Sequence, residues 1–434
     1  MVYRIFNRLI IFILISTMIS CGVNKQITSN PVAQNPQFRS NSSLLSNTGS
    51  SVLHPDFSIY HNSSETSQLN FRIYFRELRF NTANKQNVNQ SRIKLHYQLY
   101  PSYEDLNIID SASHIIDVIP QEGAKFFIGT LNIPTEKGQD YLLKVAVQDI
   151  LSGSSGLAYI YVDKRSDLNS QNFKIYSSDE MTQLFNSDLH RYQNLNIQYN
   201  KMPENKITVD QYITPIPIPK PPYYTDTIPN FQFTPDYSYS ISFRELQNFK
   251  CEEGELYFFR IDSTGSDGIL TGFFGQKYPE INTLKQMIGP IKYIGTEEDY
   301  LKILNATNKK LAIDNFWLKI SGSTDMAREL IRIYYNRCLF ANYYFTDISE
   351  GWKSDRGMIY MIFGNPEKIT RMNSEEIWSY KKTPESENPV FHFNKTENYY
   401  SNNVFLLIRD EKYRNVWEKA IESWRRGKAF SFSK

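Results

Sequence analysis

The sequence predicts a multidomain fold, with all-β, Ig-like sandwich modules followed by an α+β C-terminal domain of helices plus an antiparallel β-meander. Three observations predict it. Between residues 69 and 262, short apolar or alternating runs are separated by Gly, Ser, Asn and Pro clusters, the texture of antiparallel strands joined by turns. Beyond residue 265 apolar residues recur three and four apart, the period of a helix face. Four of the five Trp then lie between Trp352 and Trp424, among strand-like runs, so the densest core is expected there. At 434 residues the chain is too long for one compact core.

The N-terminus has its own logic. Arg4 and Arg8 precede a short apolar run, residues 9–19, which ends at Met18-Ile19-Ser20-Cys21. The run is too short to span a bilayer and reads as a secretory signal over residues 1–20. Its last four residues have the form of a bacterial lipobox, with Met18 where Leu is usual, so Cys21 is the expected lipid-attachment residue, palmitate included. The alternative is an ordinary cleaved signal with an incidental cysteine. No acidic residue occurs over residues 22–26, which favours an outer-membrane anchor with the body facing the periplasm. Residues 21–66, rich in Asn, Ser, Gln and Thr, read as a flexible tether.

A first β-sandwich is expected over residues 69–165. Residues 71–75 are strand-like, and residues 93–99 alternate strictly, as a half-buried strand does. Residues 115–119, 125–128, 141–147 and 157–162 follow, the last two as a hairpin across a Gly/Ser turn. A second, smaller β-rich domain is expected over residues 170–262, with residues 241–243 and 255–260 as paired strands. Its run Thr214-Pro215-Ile216-Pro217-Ile218-Pro219-Lys220-Pro221-Pro222 is excluded from a central strand, because proline donates nothing to the ladder. A stiff crossover is the preferred reading, a peptide-ligand motif the other.

The α+β domain is expected over residues 279–430. Thr296 and Asp299 have capping-box spacing before an apolar run, and Phe316-Trp317 reads as a link. A longer helix starts near Thr324, with Ala327, Leu330, Tyr334, Cys338, Ala341 and Phe345 on one face. Residues 358–363 read as a buried strand stopped by Gly364-Asn365-Pro366. Residues 377–380, 390–393 and 404–408 continue a meander, and Tyr413, Val416, Trp417, Ala420, Ile421 and Trp424 share one face of a last helix.

Charge and composition narrow the chemistry. With 48 Lys and Arg against 46 Asp and Glu the net charge is +2, which gives no field for nucleic acid. The six His are scattered without metal-ligand spacing, so no metal site and no cofactor are expected. Apart from Cys21, only Cys251 and Cys338 remain, as two buried thiols or one bridge. The glycine turns near residues 265–275 lack phosphate-binding patterns.

The most informative stretch is Gly351-Trp352-Lys353-Ser354-Asp355-Arg356-Gly357. Gly351 and Gly357 read as glycines chosen for positive φ, and Trp352 as a hydrophobic anchor. Ser354 and Asp355 suit local backbone hydrogen bonds, and Arg356 suits a pair with Asp355 or another carboxylate. A serine nucleophile needs a base and an orienting acid. Neither is evident, so no catalytic residue is assigned.

Gly351, Trp352, Asp355, Arg356, Gly357, Gly364 and Pro366 resemble the hallmark of the GWxTD-domain family of bacterial envelope proteins, with Ser354 in place of its threonine. Trp378 and Tyr380, and the preceding Tyr334, Arg337, Ala341-Asn342 and Phe345, also follow its pattern. A looser likeness, carried by Gly364, Pro366, Trp378 and Tyr380, is to the small lipoprotein subunit of the outer-membrane β-barrel assembly machine. The resemblances imply no enzymatic activity. The expectation is a non-enzymatic outer-membrane lipoprotein, a scaffold or accessory subunit of an envelope assembly or secretion complex. Its expected partners are the membrane, through the lipid, and envelope proteins, with an outer-membrane β-barrel complex as one candidate. The alternatives are carbohydrate or peptidoglycan binding and, behind it, a hydrolase.

Overall fold

The computed structural model describes residues 53–81, 89–201, 206–225, 234–262, 267–381, 388–396, 400–401 and 403–430. The signal segment, Cys21, residues 21–52 of the expected tether and the turn residues Gly265 and Ser266 lie outside them. No helix among the described residues is long and apolar enough to cross a membrane.

The first domain is a two-sheet sandwich. β1 (Asp56–His61), β2 (Thr66–Tyr74) and β5 (Phe126–Pro134) make one antiparallel sheet in the order β1-β2-β5. β3 (Ser91–Tyr100), β4 (Asp110–Val118), β6 (Asp140–Asp149) and β7 (Ser155–Asp163) make the other, in the order β4-β3-β6-β7. Alternation sets the two faces of β3, where Ile93, Leu95 and Leu99 are fully buried while Arg92 and Lys94 face water. They share a core with Leu69, Phe71 and Ile73 of the other sheet. β1 lies inside the stretch expected to be tether, so ordered structure begins earlier than residue 66. Its buried positions include Asp56 and His61, which hide the strand from hydrophobic periodicity. His61 replaces apolar packing with hydrogen bonds, Nδ1 to Ser67 Oγ at 2.9 Å and Nε2 to the Asp163 carbonyl at 2.7 Å.

The second domain is a smaller sandwich. β8 (Phe173–Ser177), β9 (Asn194–Tyr199) and β12 (Gln247–Lys250) form one sheet; β10 (Ile207–Tyr212), β11 (Tyr237–Ile241), β13 (Leu256–Arg260) and β14 (Ile269–Gly272) form the other, ordered β11-β10-β13-β14. Two expectations change. The sheet continues past residue 262 to β14, and β10 lies between β11 and β13, which therefore do not pair with each other. β10 carries Thr208 and Asp210 at buried positions, with Asp210 paired to Arg260 at 2.8 Å, so it lacks an apolar signature. The proline-rich run is a crossover onto the C-terminal domain: Ile218 packs on that domain's core, and the Pro222 carbonyl accepts the Asp410 N–H at 3.1 Å. Cys251 and Cys338 are free and buried in separate cores.

The C-terminal domain packs helices against a meander. α1 (Leu284–Ile291), α2 (Glu297–Asn305), α3 (Lys309–Ser321) and α4 (Thr324–Phe345) precede a 3-10 turn, Gly351–Lys353, and α5 (Asp355–Phe363). β15 (Lys368–Arg371), β16 (Glu375–Ser379), β17 (Val390–Lys395) and β18 (Phe405–Leu407) form the meander in sequence order, and α6 (Arg414–Arg425) closes the chain. The expected capping box of Thr296 and Asp299 is present, and the expected face of α4 is buried. Phe316 and Trp317 lie within α3 rather than in a link.

One element is of a different type. Residues 358–363 are not a strand but the body of α5, whose residues are all buried. A short helix enclosed on every side carries no polar stripe, so its sequence shows a continuous apolar run like a buried strand. The meander starts instead at β15, beyond the Gly364-Asn365-Pro366 turn.

A buried ionic cluster joins the three domains. Arg72 of β2 donates to Asp56 Oδ2 through Nε at 3.0 Å and Nη2 at 2.6 Å, and to Asp188 of the second domain at 2.5 and 2.7 Å. Tyr343 of α4 completes it by donating to Asp56 Oδ1 at 2.8 Å. The guanidinium also lies 4.8 Å from the Phe185 ring centre.

Candidate functional site

The motif folds inward. Ser354 is the N-cap of α5: its Oγ accepts the Gly357 N–H at 2.9 Å and donates to the Gly351 carbonyl at 2.8 Å. The two glycines owe their identity to close approach rather than to positive φ, which neither has. A Cβ on Gly357 would sit 1.9 Å from the Gly351 carbonyl oxygen, and one on Gly351 would sit 2.0 Å from that of Ala341. The turn is thus pressed against α4 and α5 with backbone on backbone, leaving no room for a side chain at either glycine. Trp352 is 4% exposed; its N–H donates to Asn342 Oδ1 at 3.1 Å and its carbonyl accepts the Tyr293 hydroxyl at 2.9 Å.

Asp355 and Arg356, adjacent in sequence, point to different partners and do not pair with each other. Asp355 accepts the Leu407 N–H at 2.9 Å and a fork from Arg409 at 2.6 and 3.0 Å, which ties the start of α5 to β18. Arg356 donates to Asn403 at 2.5 and 2.6 Å, lies 3.7 Å from Glu376, and sits 4.3 Å over the Phe405 ring. At the other end of α5, Gly364 has φ +76° and ends the helix. Its carbonyl accepts the Tyr380 hydroxyl at 3.0 Å, and Pro366 is buried behind it. Arg337 of α4 donates to the Met361 and Ile362 carbonyls at 3.1 and 2.8 Å, a cation at a helix C-terminus. Burial pushes this guanidinium down to about 10. Trp378, fully buried, donates to Glu376 Oε1 at 2.5 Å.

Sequence reasoning missed what lies beside the motif. A cleft of about 660 Å³ opens where the first sandwich, the second domain and the C-terminal domain meet, and its end between the first sandwich and the meander is lined among others by Tyr103, Tyr159, Tyr161, Arg356, Arg371 and Lys395. Glu376 sits at its base, within 3.0 Å of Arg371 and 3.7 Å of Arg356. Burial works to raise its pKa, and the two guanidinium groups outweigh that and hold it below the usual value. Asp347, also on the wall, is pushed up to about 7 by burial, against the pull of Arg356. The available signal was a charged pair, Arg371 and Glu376, at strand positions that alternation assigns to the core, together with Tyr159-x-Tyr161 on one strand face. His392 contacts Glu375 at 2.6 Å. Among the described residues, no group of His, Cys, Asp and Glu is placed to hold a metal ion.

The GWxTD domain family matches residues 255–426. The match starts just before β13 and so takes in the last two strands of the second domain as well as the C-terminal domain. No curated protein matches the chain. Among solved structures, one that it resembles is the Bacteroides uniformis β-glucuronidase 2 covalently bound to cyclophellitol-6-carboxylate aziridine, at 12% identity and TM-score 0.17. That likeness covers 29% of this chain and 14% of the other, and so loose a superposition bears on neither fold nor chemistry.

Proposed function

From a chain that carries a GWxTD domain over residues 255–426, we propose a non-enzymatic outer-membrane lipoprotein that serves as a scaffold or accessory subunit of an envelope assembly or secretion complex. The observation that carries this reading is the use to which the motif is put. Ser354, Asp355 and Arg356 are spent on a helix cap, a strand tie and a loop clamp. A nucleophile needs an adjacent base and room for substrate, whereas Ser354 is 8% exposed and bonded to its own turn.

In this reading Cys21 carries the lipid, the folded body faces the periplasm, and the partners are envelope proteins, with an outer-membrane β-barrel complex as one candidate. Labelling cells with an alkyne analogue of palmitate tests the anchor: a Cys21→Ala chain is expected to take up no label. Cross-linking in native envelopes followed by gentle extraction tests the scaffold role. Outer-membrane proteins are expected in stoichiometric amounts, and recovery of free monomer alone counts against it.

The tyrosine-lined cleft favours a second reading, a carbohydrate- or peptidoglycan-binding lipoprotein, because aromatic rings beside polar groups suit sugar rings. A hydrolase acting through Ser354 is the third; hydrolysis that persists in a folded Ser354→Ala protein removes that site.

A further inference from the structure

We propose that the end of the cleft between the first sandwich and the meander binds an acidic saccharide, a short glycan whose carboxylate is held by Lys395 and Arg371 and whose ring packs on Tyr159 and Tyr161. The inference rests on the glycan-binding reading and specifies its ligand.

One wall is the outer face of the first sandwich. Tyr159 and Tyr161 stand two apart on β7 and so share a face, the one opposite to buried Val162. Tyr103 joins them from the loop after β3, its ring 6.1 Å from that of Tyr159. The opposite wall is one end of the meander. Along its helix-facing side the register sets Ile369 beside Trp378 and Trp378 beside Phe391, an apolar floor. The same side then turns charged, with Arg371 beside Glu376 and Lys395 two residues beyond Phe393. The walls meet where the Lys395 ammonium lies 4.4 Å over the Tyr161 ring, and where Asn373 exchanges hydrogen bonds with Tyr103 and Glu104 at 3.2 and 2.9 Å.

The hydrogen bonds leave donors over. Arg356, Arg371 and Lys395 line this end of the cleft with Glu376, which is within 3.0 Å of Arg371 and 3.7 Å of Arg356, and with Asp140, Asp347 and Glu375. Arg371 uses its Nε on Glu376, and its two terminal nitrogens meet no acceptor among the described residues. Lys395 has a ring beneath it and, among the described residues, no ion pair. Two cations held in place with unused hydrogens, beside half-buried tyrosines, fit a carboxylate on a ring with an apolar face. The cleft of which this is one end has a volume of about 660 Å³ in all, room for a short glycan. A peptide adding to the sheet fits less well. It would bind the free edge of β7, where Gln171 already occupies the Tyr161 carbonyl at 2.7 Å and the Asp163 N–H at 2.9 Å.

The test is calorimetric titration of the full chain with trigalacturonate, cellotriose and a hexaglutamate peptide. Trigalacturonate is expected to bind, with affinity that falls as salt rises, and to lose about tenfold or more in Lys395→Met, the effect of one charge-assisted hydrogen bond. Lys395 makes no ion pair among the described residues, so this variant should lose only its contact with the Tyr161 ring and stay folded in a melt run alongside; Tyr161→Phe, which keeps the ring, should retain binding. If cellotriose binds as well as trigalacturonate and Lys395→Met changes neither, the acidic ligand is wrong and glycan binding stands. If neither saccharide binds, both fall. Tighter binding of the peptide overturns the inference in favour of a protein ligand.

Discussion

The Tyr343 hydroxyl donates to Asp56 Oδ1 at 2.8 Å across 287 residues of sequence, joining the long helix of the C-terminal domain to the first strand of the first sandwich. Asp56 is also held by Arg72, which reaches Asp188 of the second domain. Two carboxylates bridged by Arg72 thus fix three domains against each other. Tyr343→Phe removes a hydrogen bond to a charged acceptor and is expected to cost ~1.5–3 kcal/mol. Arg72→Leu leaves two carboxylates buried without a cation and should cost more, ~3–5 kcal/mol. Chemical denaturation with domain-specific probes checks both, and independent melting of the first sandwich in Arg72→Leu is the expected signature.

Gly357→Ala should be among the worst single changes in the chain. Its Cβ would overlap the Gly351 carbonyl, which is backbone and has no rotamer to yield. The cost is expected to be about 3 kcal/mol or more, beyond ordinary overpacking. Gly123 has positive φ, but a Cβ placed there would meet nothing within 4 Å, so Gly123→Ala should cost only the strain of its backbone. Equal melting temperatures for the two variants would refute close approach as the reason for Gly357.

Trp352→Ala removes a ring packed edge-on to Tyr293, with centroids 6.0 Å apart, and is expected to cost ~3–5 kcal/mol. Wild-type thermal unfolding would refute its role as the anchor of the turn.

Legibility followed the chemistry of burial. Wherever buried positions are apolar and the other face is wet, as in β3 and α4, periodicity in the sequence located the element and its inward residues. It failed where that contrast is missing. α5 is buried all round, so its apolar run looks like a strand, and β1 and β10 bury Asp56, His61, Thr208 and Asp210, so neither looks like anything buried. The motif was legible as a signature and as structure, but the partners of its charged residues were not. Asp355 finds Arg409 more than fifty residues on, and Arg356 finds Asn403, pairings set by the register of the meander. The cleft is a product of three domains, and its nearest sequence traces are the charged pair Arg371 and Glu376 and the spacing of two tyrosines.

Ser354 and Asp355 should separate in their effects although they are neighbours. Ser354→Ala removes an N-cap and is expected to cost ~1 kcal/mol, while Ser354→Thr, which keeps the hydroxyl, should cost far less. Asp355→Ala strands Arg409, whose side chain is 7% exposed, and leaves the Leu407 N–H without its acceptor. Loss of one partner of a buried pair costs ~3–5 kcal/mol. Equilibrium unfolding of the three variants gives the order directly, and a Ser354→Ala protein less stable than Asp355→Ala would overturn it.

Asp347 supplies a pH dependence of definite sign. Burial raises its carboxyl from 3.8 to about 7, with Arg356 opposing the rise and Asp355 adding to it. The folded chain therefore binds this proton more tightly than the unfolded chain between about pH 4 and pH 7, so the protonated group favours folding at the acid end of that window. As pH rises from about 4 through about 7 this contribution is lost, up to roughly 4 kcal/mol for a shift of that size. Asp347→Asn carries no such proton. Its stability should be flatter across the window and higher than wild type at pH 8, by on the order of 2–4 kcal/mol. Urea unfolding at pH 5, 6.5 and 8 measures the slope, and parallel curves for the two proteins would show that Asp347 stays ionised in the fold.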